Sequence, residues 1–313
     1  MDVLELLGPD ISMLVFNFIT NPADLIRTTA VSRSWNKFVN AQKLIKQLCL
    51  RICPNLLHFS SIKEITPPGM TQEDGYGDSM EQRNHERDKL IYSYILQCIV
   101  PSNRNKNCIR ECIGASSTNV PSETIENTLE IGFPNYMGPS FWSSAGETDP
   151  SLPEFLIYRL RSRLSVIHEI RIRPLKGFQP GFQPEEPVYS SQAVRFRIGY
   201  YKVQHWPVQN MPHDDQFLND EKFVWTYISP EFPMSQSFKL RQPIVSIGDV
   251  IKIELIGRAQ KLAANNLYYI CLTNVQVIGR PLSPVLGVDF PKGDGDDLVL
   301  KYFPDQTRDA LLI

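Results

Sequence analysis

Cys108 and Cys112 stand four positions apart, one helical turn, a separation at which two thiols could share a metal ion. A closed zinc site needs more ligands than two thiols. No nearby His or second Cys pair accompanies them, so they read as ordinary buried thiols and no metal is expected. The acidic run "GDGDD" at 293–297 offers oxygen ligands to calcium. It lacks the loop pattern and terminal Glu of a calcium loop and reads as a solvated turn. His168 alternates with Ile170 and Ile172, which marks it as a hydrogen-bonded core histidine. Arg171 and Arg173 fall on the opposite face as a basic stripe, which Arg195 and Arg197 extend. Tyr136, Trp142, His205, Trp206 and His213 lie in loop-like stretches where an aromatic beside polar groups can stack on a sugar or clamp a peptide; packing within the loops is the stronger reading for Trp142 and Trp206. The sequence has no G-x-S-x-G elbow, G-x-x-x-x-G-K-[ST] loop, H-E-x-x-H helix or paired C-x-x-C motif. No catalytic residue and no cofactor is therefore expected. An enzyme would need an unrecognised site with convergent titratable groups.

The hydrophobic period that sets the secondary structure changes along the chain. Asp10 is placed to cap a helix whose apolar positions Ile11, Leu14, Val15, Phe18 and Ile19 recur at steps of three and four. Asn21, Pro22 and Asp24 form a second helix start. In "VSRSWNKFVN", Val31, Trp35, Phe38 and Val39 open a third helix that the pattern Leu44, Ile45, Leu48, Ile52 continues to Pro54. Residues 60–80 are rich in Pro, Gly, Ser and acids and read as a linker. A helix carrying Leu90, Ile91, Tyr94, Ile95 and Cys98 follows as a brace. From about 110 the period becomes two, with Val194, Phe196 and Ile198 in one strand, Phe223, Trp225 and Tyr227 in another, and Ile251, Ile253 and Leu255 in a third. Several strands without long intervening helices give an antiparallel sandwich or barrel.

The whole chain has 313 residues, 42% hydrophobic and 21% charged, enough for two domains. Its formal net charge of −2 supplies no global field toward nucleic acid or an anionic membrane. Six scattered cysteines, no N-x-Ser/Thr acceptor, no cleavable leader and no long apolar run fit a cytoplasmic or nuclear protein with no membrane partner. A three-helix unit of some 50 residues is marginal alone. Its apolar positions exceed what it can bury, and such excess usually marks an interface.

The stretch "LLGPDISMLVFNFITNPADLIRTTAVSRSWNKFVN" resembles an F-box: Pro9, Asp10 and Ile11 match its opening, Leu14, Phe16 and Ile19 its first helix, Asp24 and Leu25 its middle, and Val31, Arg33 and Trp35 its end. Gly8 stands where the family usually has Leu, and Ser32 where it often has Cys. Further on, Trp142, Ser143, Ser144 and Gly146 form a W-S-S-x-G element that, with Ile170 and Ile172, resembles discoidin-like or galactose-binding-like jelly rolls. The combination resembles a plant F-box group. These resemblances imply an α+β multidomain protein with an F-box at 5–50, a linker and bracing helix at 51–105, a β-sandwich substrate-recognition domain at 106–281 and a C-terminal tail at 282–313. They imply a Skp-family adaptor and a cullin ligase complex as partners, with Pro9, Ile11, Leu14, Leu25, Val31 and Trp35 as adaptor-facing or packing residues. The expected role is substrate recognition in an SCF-type ubiquitin ligase, the target being an unknown and possibly glycosylated protein. A lectin-like module, or an F-box protein working outside a ligase, is the alternative.

Overall fold

The computed structural model describes residues 2–66, 80–129, 140–176, 187–202, 219–290 and 297–311, the last four without their side chains. Helices α1 (Val3–Asn17), α2 (Pro22–Thr28), α3 (Arg33–Ala41) and α4 (Leu44–Ile52) lead through a 3-10 turn to strand β1 (Phe59–Glu64) and helix α5 (Met80–Ile99). Strands β2 (Lys106–Asn107), β3 (Ile109–Ala115), β4 (Trp142–Ser143), β5 (Glu154–Leu160), β6 (Leu164–Lys176), β7 (Val188–Tyr189) and β8 (Ser191–Tyr201) follow. Then come β9 (Phe223–Ile228), β10 (Phe232–Pro233), β11 (Ser237–Ile247), β12 (Val250–Arg258), β13 (Gln260–Leu262), β14 (Leu267–Tyr269) and β15 (Cys271–Pro281). The chain closes with β16 (Leu286–Asp289), β17 (Leu298–Tyr302) and α6 (Pro304–Leu311). No described helix is long and apolar enough to cross a membrane.

Two compact units divide these elements. The first comprises Met1–Arg104, Gln242–Val245 and Leu282–Ile313. Residues 282–313 are thus not a separate tail: β17 pairs in parallel with β1 and antiparallel with β16, and α6 meets α5. Sequence periodicity could not show this, because β1 and β17 lie more than 230 residues apart and each half-buried strand is too short to declare itself. α5 also belongs to this unit, where Ile91, Tyr92, Tyr94, Ile95 and Leu96 are buried and α4 packs against it.

Local rules account for the helix boundaries. Asn21 accepts from the Ala23 N–H at 2.9 Å, and Pro22 takes the first position of α2. Ser32 caps α3 by accepting from the Trp35 N–H at 3.2 Å. Asp10 does not cap α1 as its side chain suggests. The helix kinks at Gly8, whose φ of 73° suits glycine, and Pro9 follows as the first residue beyond the kink. The departure of this chain at Gly8 therefore has a backbone reason. The third predicted helix is likewise broken: Lys43 sits at φ 53°, ψ 34°, in the left-handed region, and separates α3 from α4. A side chain there costs roughly 1–2 kcal/mol, against roughly 0.5–1 kcal/mol of extra chain entropy for glycine. Lys43→Gly is thus expected to stabilise the first unit by about 0.5–1 kcal/mol, read as a rise in denaturant midpoint.

The second unit, Asn105–Arg241 and Ser246–Pro281, is the expected antiparallel sandwich. One sheet runs β10-β8-β12-β5-β3 with β9 on β8, the other β11-β6-β15-β2 with β4 on β15 and β7 on β6. Their facing sides bury Val194, Phe196, Ile198, Ile251, Ile253, Leu255, Ile170 and Ile172, the positions the period of two selects. Bulges correct two strands. Between β6 and β15 the register jumps from Glu169–Ile278 to Ile167–Gly279, so His168 is the extra residue and Ile167 joins Ile170 in the core. In β9 a shift opposite Ile198 and Gly199 leaves Tyr227 in the main core while Phe223 and Trp225 stack at 5.0 Å in a second cluster.

The arginine stripes belong to different sheets. Arg195 and Arg197 on β8 are neutralised by Glu231, Glu254 and Asp220, with Arg197–Glu254 at 2.8 Å and Arg197–Asp220 at 3.0 Å. Arg171 on β6 holds the Glu169 carboxylate at 2.8 Å.

Candidate functional site: an outward apolar helix face and a groove on the sandwich

Helix α1 turns its apolar side outward. Ile11, Leu14, Val15 and Phe18 occupy positions i, i+3, i+4 and i+7, hence one face, and are 51%, 62%, 50% and 85% exposed. The opposite face carries buried Ser12 and Phe16. Pro9 is exposed at its head and Val31, in the turn before α3, is 61% exposed. An amphipathic helix normally buries such a face, whereas here the four side chains are exposed.

The six residues named from the sequence separate into two sets. Pro9, Ile11, Leu14 and Val31 lie on the surface, whereas Leu25 is 2% exposed and belongs to the core. Trp35 is half-buried: its ring meets Phe16 edge-on at 5.4 Å and its indole N–H donates to Asp2 at 2.9 Å. Hydrogen bonds, foremost from the Ser34 hydroxyl, hold the Asp2 carboxyl down at about 2. Trp35 thus organises the helices and is not the exposed anchor. Helical spacing is equally compatible with both roles, and it does not single out Phe18, the most exposed residue of the stripe.

In the sandwich, the W-S-S-x-G element is an architectural device. Trp142 is fully buried, and its indole N–H donates to the Ser117 carbonyl at 3.1 Å. Ser144 accepts at 2.9 Å from Arg258, itself 1% exposed. The Arg258 guanidinium also donates to the carbonyls of Ala145, Tyr268 and Leu152 and to Glu154 at 2.5 Å. Glu154 accepts in addition from Ser116 and from Ser117 at 2.8 Å. This buried pair is fully satisfied and ties the ends of β3, β5 and β12 to the loop after β4. Gly146 closes the arrangement, because a Cβ there would lie 2.5 Å from the Tyr269 hydroxyl.

Elsewhere in this unit Asn119, Glu123, Phe141, Leu175, Tyr189 and Tyr269, among others, line a groove of about 310 Å³. Tyr136, His205, Trp206, His213 and residues 293–296 of the acidic run lie outside the described residues.

Five of the six cysteines are buried and Cys112 is partly so. Cys112 lies on β3 and Cys108 just before it, so they are not on a helical turn, and no cluster of His, Cys, Asp and Glu fit for a metal occurs among the described residues. Burial pushes Cys53 up to about 12 and Cys108 and Cys271 up to about 11, and raises Cys49 and Cys112 well above the usual thiol range. All five are neutral at pH 8. They should resist iodoacetamide in the native protein and react once guanidinium unfolds it, as read by mass spectrometry. Rapid native labelling of Cys108 or Cys112 would contradict this.

An α+β multidomain protein emerges, with a helical unit that presents an apolar face and a two-sheet sandwich that presents a groove. No family model matches the chain. Over 307 residues it is 35% identical to the F-box protein At4g00755 of Arabidopsis thaliana, an alignment covering 92% of this chain and 79% of that relative. The chain belongs to the F-box protein family. Among solved structures it is similar to chitosan-binding module 1 of a Paenibacillus chitosanase/glucanase, at 9% identity over 55% of this chain and 98% of that one, TM-score 0.33. The family 32 carbohydrate-binding module of Clostridium perfringens NanJ, solved with galactose, aligns at 13% identity over 54% of this chain and 98% of that one, TM-score 0.32. Neither likeness carries a residue role across.

Proposed function

We propose that the chain is a substrate-recognition subunit of an SCF-type ubiquitin ligase, in the cytoplasm or nucleus, with no catalytic site of its own. The outward apolar face of α1 carries this reading: four large side chains in register on a helix of an F-box protein are what a Skp-family adaptor would cover. Pro9, Ile11, Leu14 and Val31 would meet the adaptor, while Leu25 and Trp35 would hold the helices that present them. The sandwich would then select the protein to be modified.

Reconstitution tests the assignment. Mixed with the adaptor, a cullin and its RING partner, the full chain should elute with all of them in one complex by size exclusion with light scattering. Elution of the chain apart from an otherwise assembled scaffold would refute the ligase role and leave an F-box protein acting outside one.

A further inference from the structure

The groove on the sandwich has a composition that narrows its ligand. Phe141, Tyr189, Leu175, Pro187 and Leu262 give it apolar and aromatic walls. Two of its hydroxyls are engaged internally, Ser143 accepting from the Cys271 thiol at 3.4 Å and Tyr269 accepting from Asn265 at 2.7 Å. Glu123 is the single charged residue among the described lining, half-buried and steadied by an Asn119 amide that donates to one carboxylate oxygen at 3.1 Å. Ser143 of the lining is followed by Ser144, which the buried Arg258 guanidinium holds together with Glu154 and the Ala145 carbonyl.

We infer that this groove binds a lysine or arginine side chain on an extended segment of the target protein. A long basic side chain fits both parts of the lining: its methylene stem covers apolar surface, and its cationic head meets a carboxylate beside aromatic rings. An acidic segment would face Glu123 without a compensating cation. A sugar would need several directed polar groups, and beside the engaged Ser143 and Tyr269 hydroxyls the described lining offers the Asn119–Glu123 pair and the Tyr189 hydroxyl. The inference rests on the reading of the sandwich as the target-selecting part and names the chemistry it selects.

A positional-scanning peptide library, probed with the full chain, should show enrichment of Lys or Arg at one position flanked by apolar residues. The best peptide, labelled with fluorescein and followed by anisotropy, should lose about tenfold or more in affinity on Glu123→Gln, and by a similar factor when its basic residue becomes norleucine. Combining both changes should add little further loss, because each removes the same contact. The peptide substitution leaves the protein untouched, so it decides the matter even were the protein variant misfolded. Selection of peptides without a basic residue, affinity unchanged by either substitution, or binding only to a glycan array with no peptide selected would overturn the inference. Adaptor co-elution, measured on the same samples, reports separately on the ligase assignment: a chain that binds adaptor but selects no basic peptide refutes the groove alone.

Discussion

Arg258→Met should lower the stability of the sandwich by about 3–5 kcal/mol, the cost of leaving a carboxylate buried and unpaired. The reason is positional. Arg258 is 1% exposed, and its donors hold Glu154, Ser144 and three backbone carbonyls together, so removing it orphans groups from several loops at once. Hydrogen exchange of the β5 and β12 amides reads the loss directly. A double change, Arg258→Met with Glu154→Leu, should recover a large part of it, since an apolar pair of similar volume leaves no lone charge. A loss below about 1 kcal/mol for the single variant would mean that water or relaxation satisfies Glu154 and that the framework is not the anchor described. Because Arg258 holds Ser144, the neighbour of Ser143 in the groove lining, peptide binding should fall together with stability.

The second large effect concerns the helices. Leu14→Asp combined with Val31→Asp should abolish measurable adaptor binding, a loss of about a hundredfold or more, while leaving the melting temperature of the chain nearly unchanged. Both side chains are more than 60% exposed, so a carboxylate there stays hydrated in the free protein and is penalised only when a partner covers it. Trp35→Ala behaves in the opposite way. Its ring packs on Phe16 and its N–H holds Asp2, so truncation should cost about 2 kcal/mol or more of stability and weaken binding only through the fold. A pull-down beside a thermal melt separates the two. If Trp35→Ala kept full stability and lost binding, the assignment of Trp35 to the interior would be wrong.

Where side-chain period alone decides an element, the sequence sufficed. The alternation of Val194, Phe196 and Ile198, and of Ile251, Ile253 and Leu255, forecast the inner faces of two strands that do line the core. It failed where a single backbone residue changes the phase. The bulge at His168 and the left-handed Lys43 each reset a pattern that reads as continuous, because neither position carries a Gly or Pro to announce it. The parallel pairing of β1 with β17 was hidden by distance along the chain. The Arg258–Glu154 pair was hidden for another reason: strands show charged residues mostly on wet faces, and nothing local separates a buried one from the rest. For the candidate sites, order along the F-box-like stretch named Ile11, Leu14 and Val31, but only burial separated them from Leu25 and Trp35.

In the proposed function the outward face of α1 docks a Skp-family adaptor. Isothermal titration of purified adaptor into the full chain tests it most directly. One-to-one binding in the submicromolar range is expected, with a negative heat-capacity change from burial of Ile11, Leu14, Val15 and Phe18, and no heat with the Leu14→Asp, Val31→Asp variant. Absence of binding by the folded wild type, under conditions where another F-box protein binds the same adaptor, would contradict it.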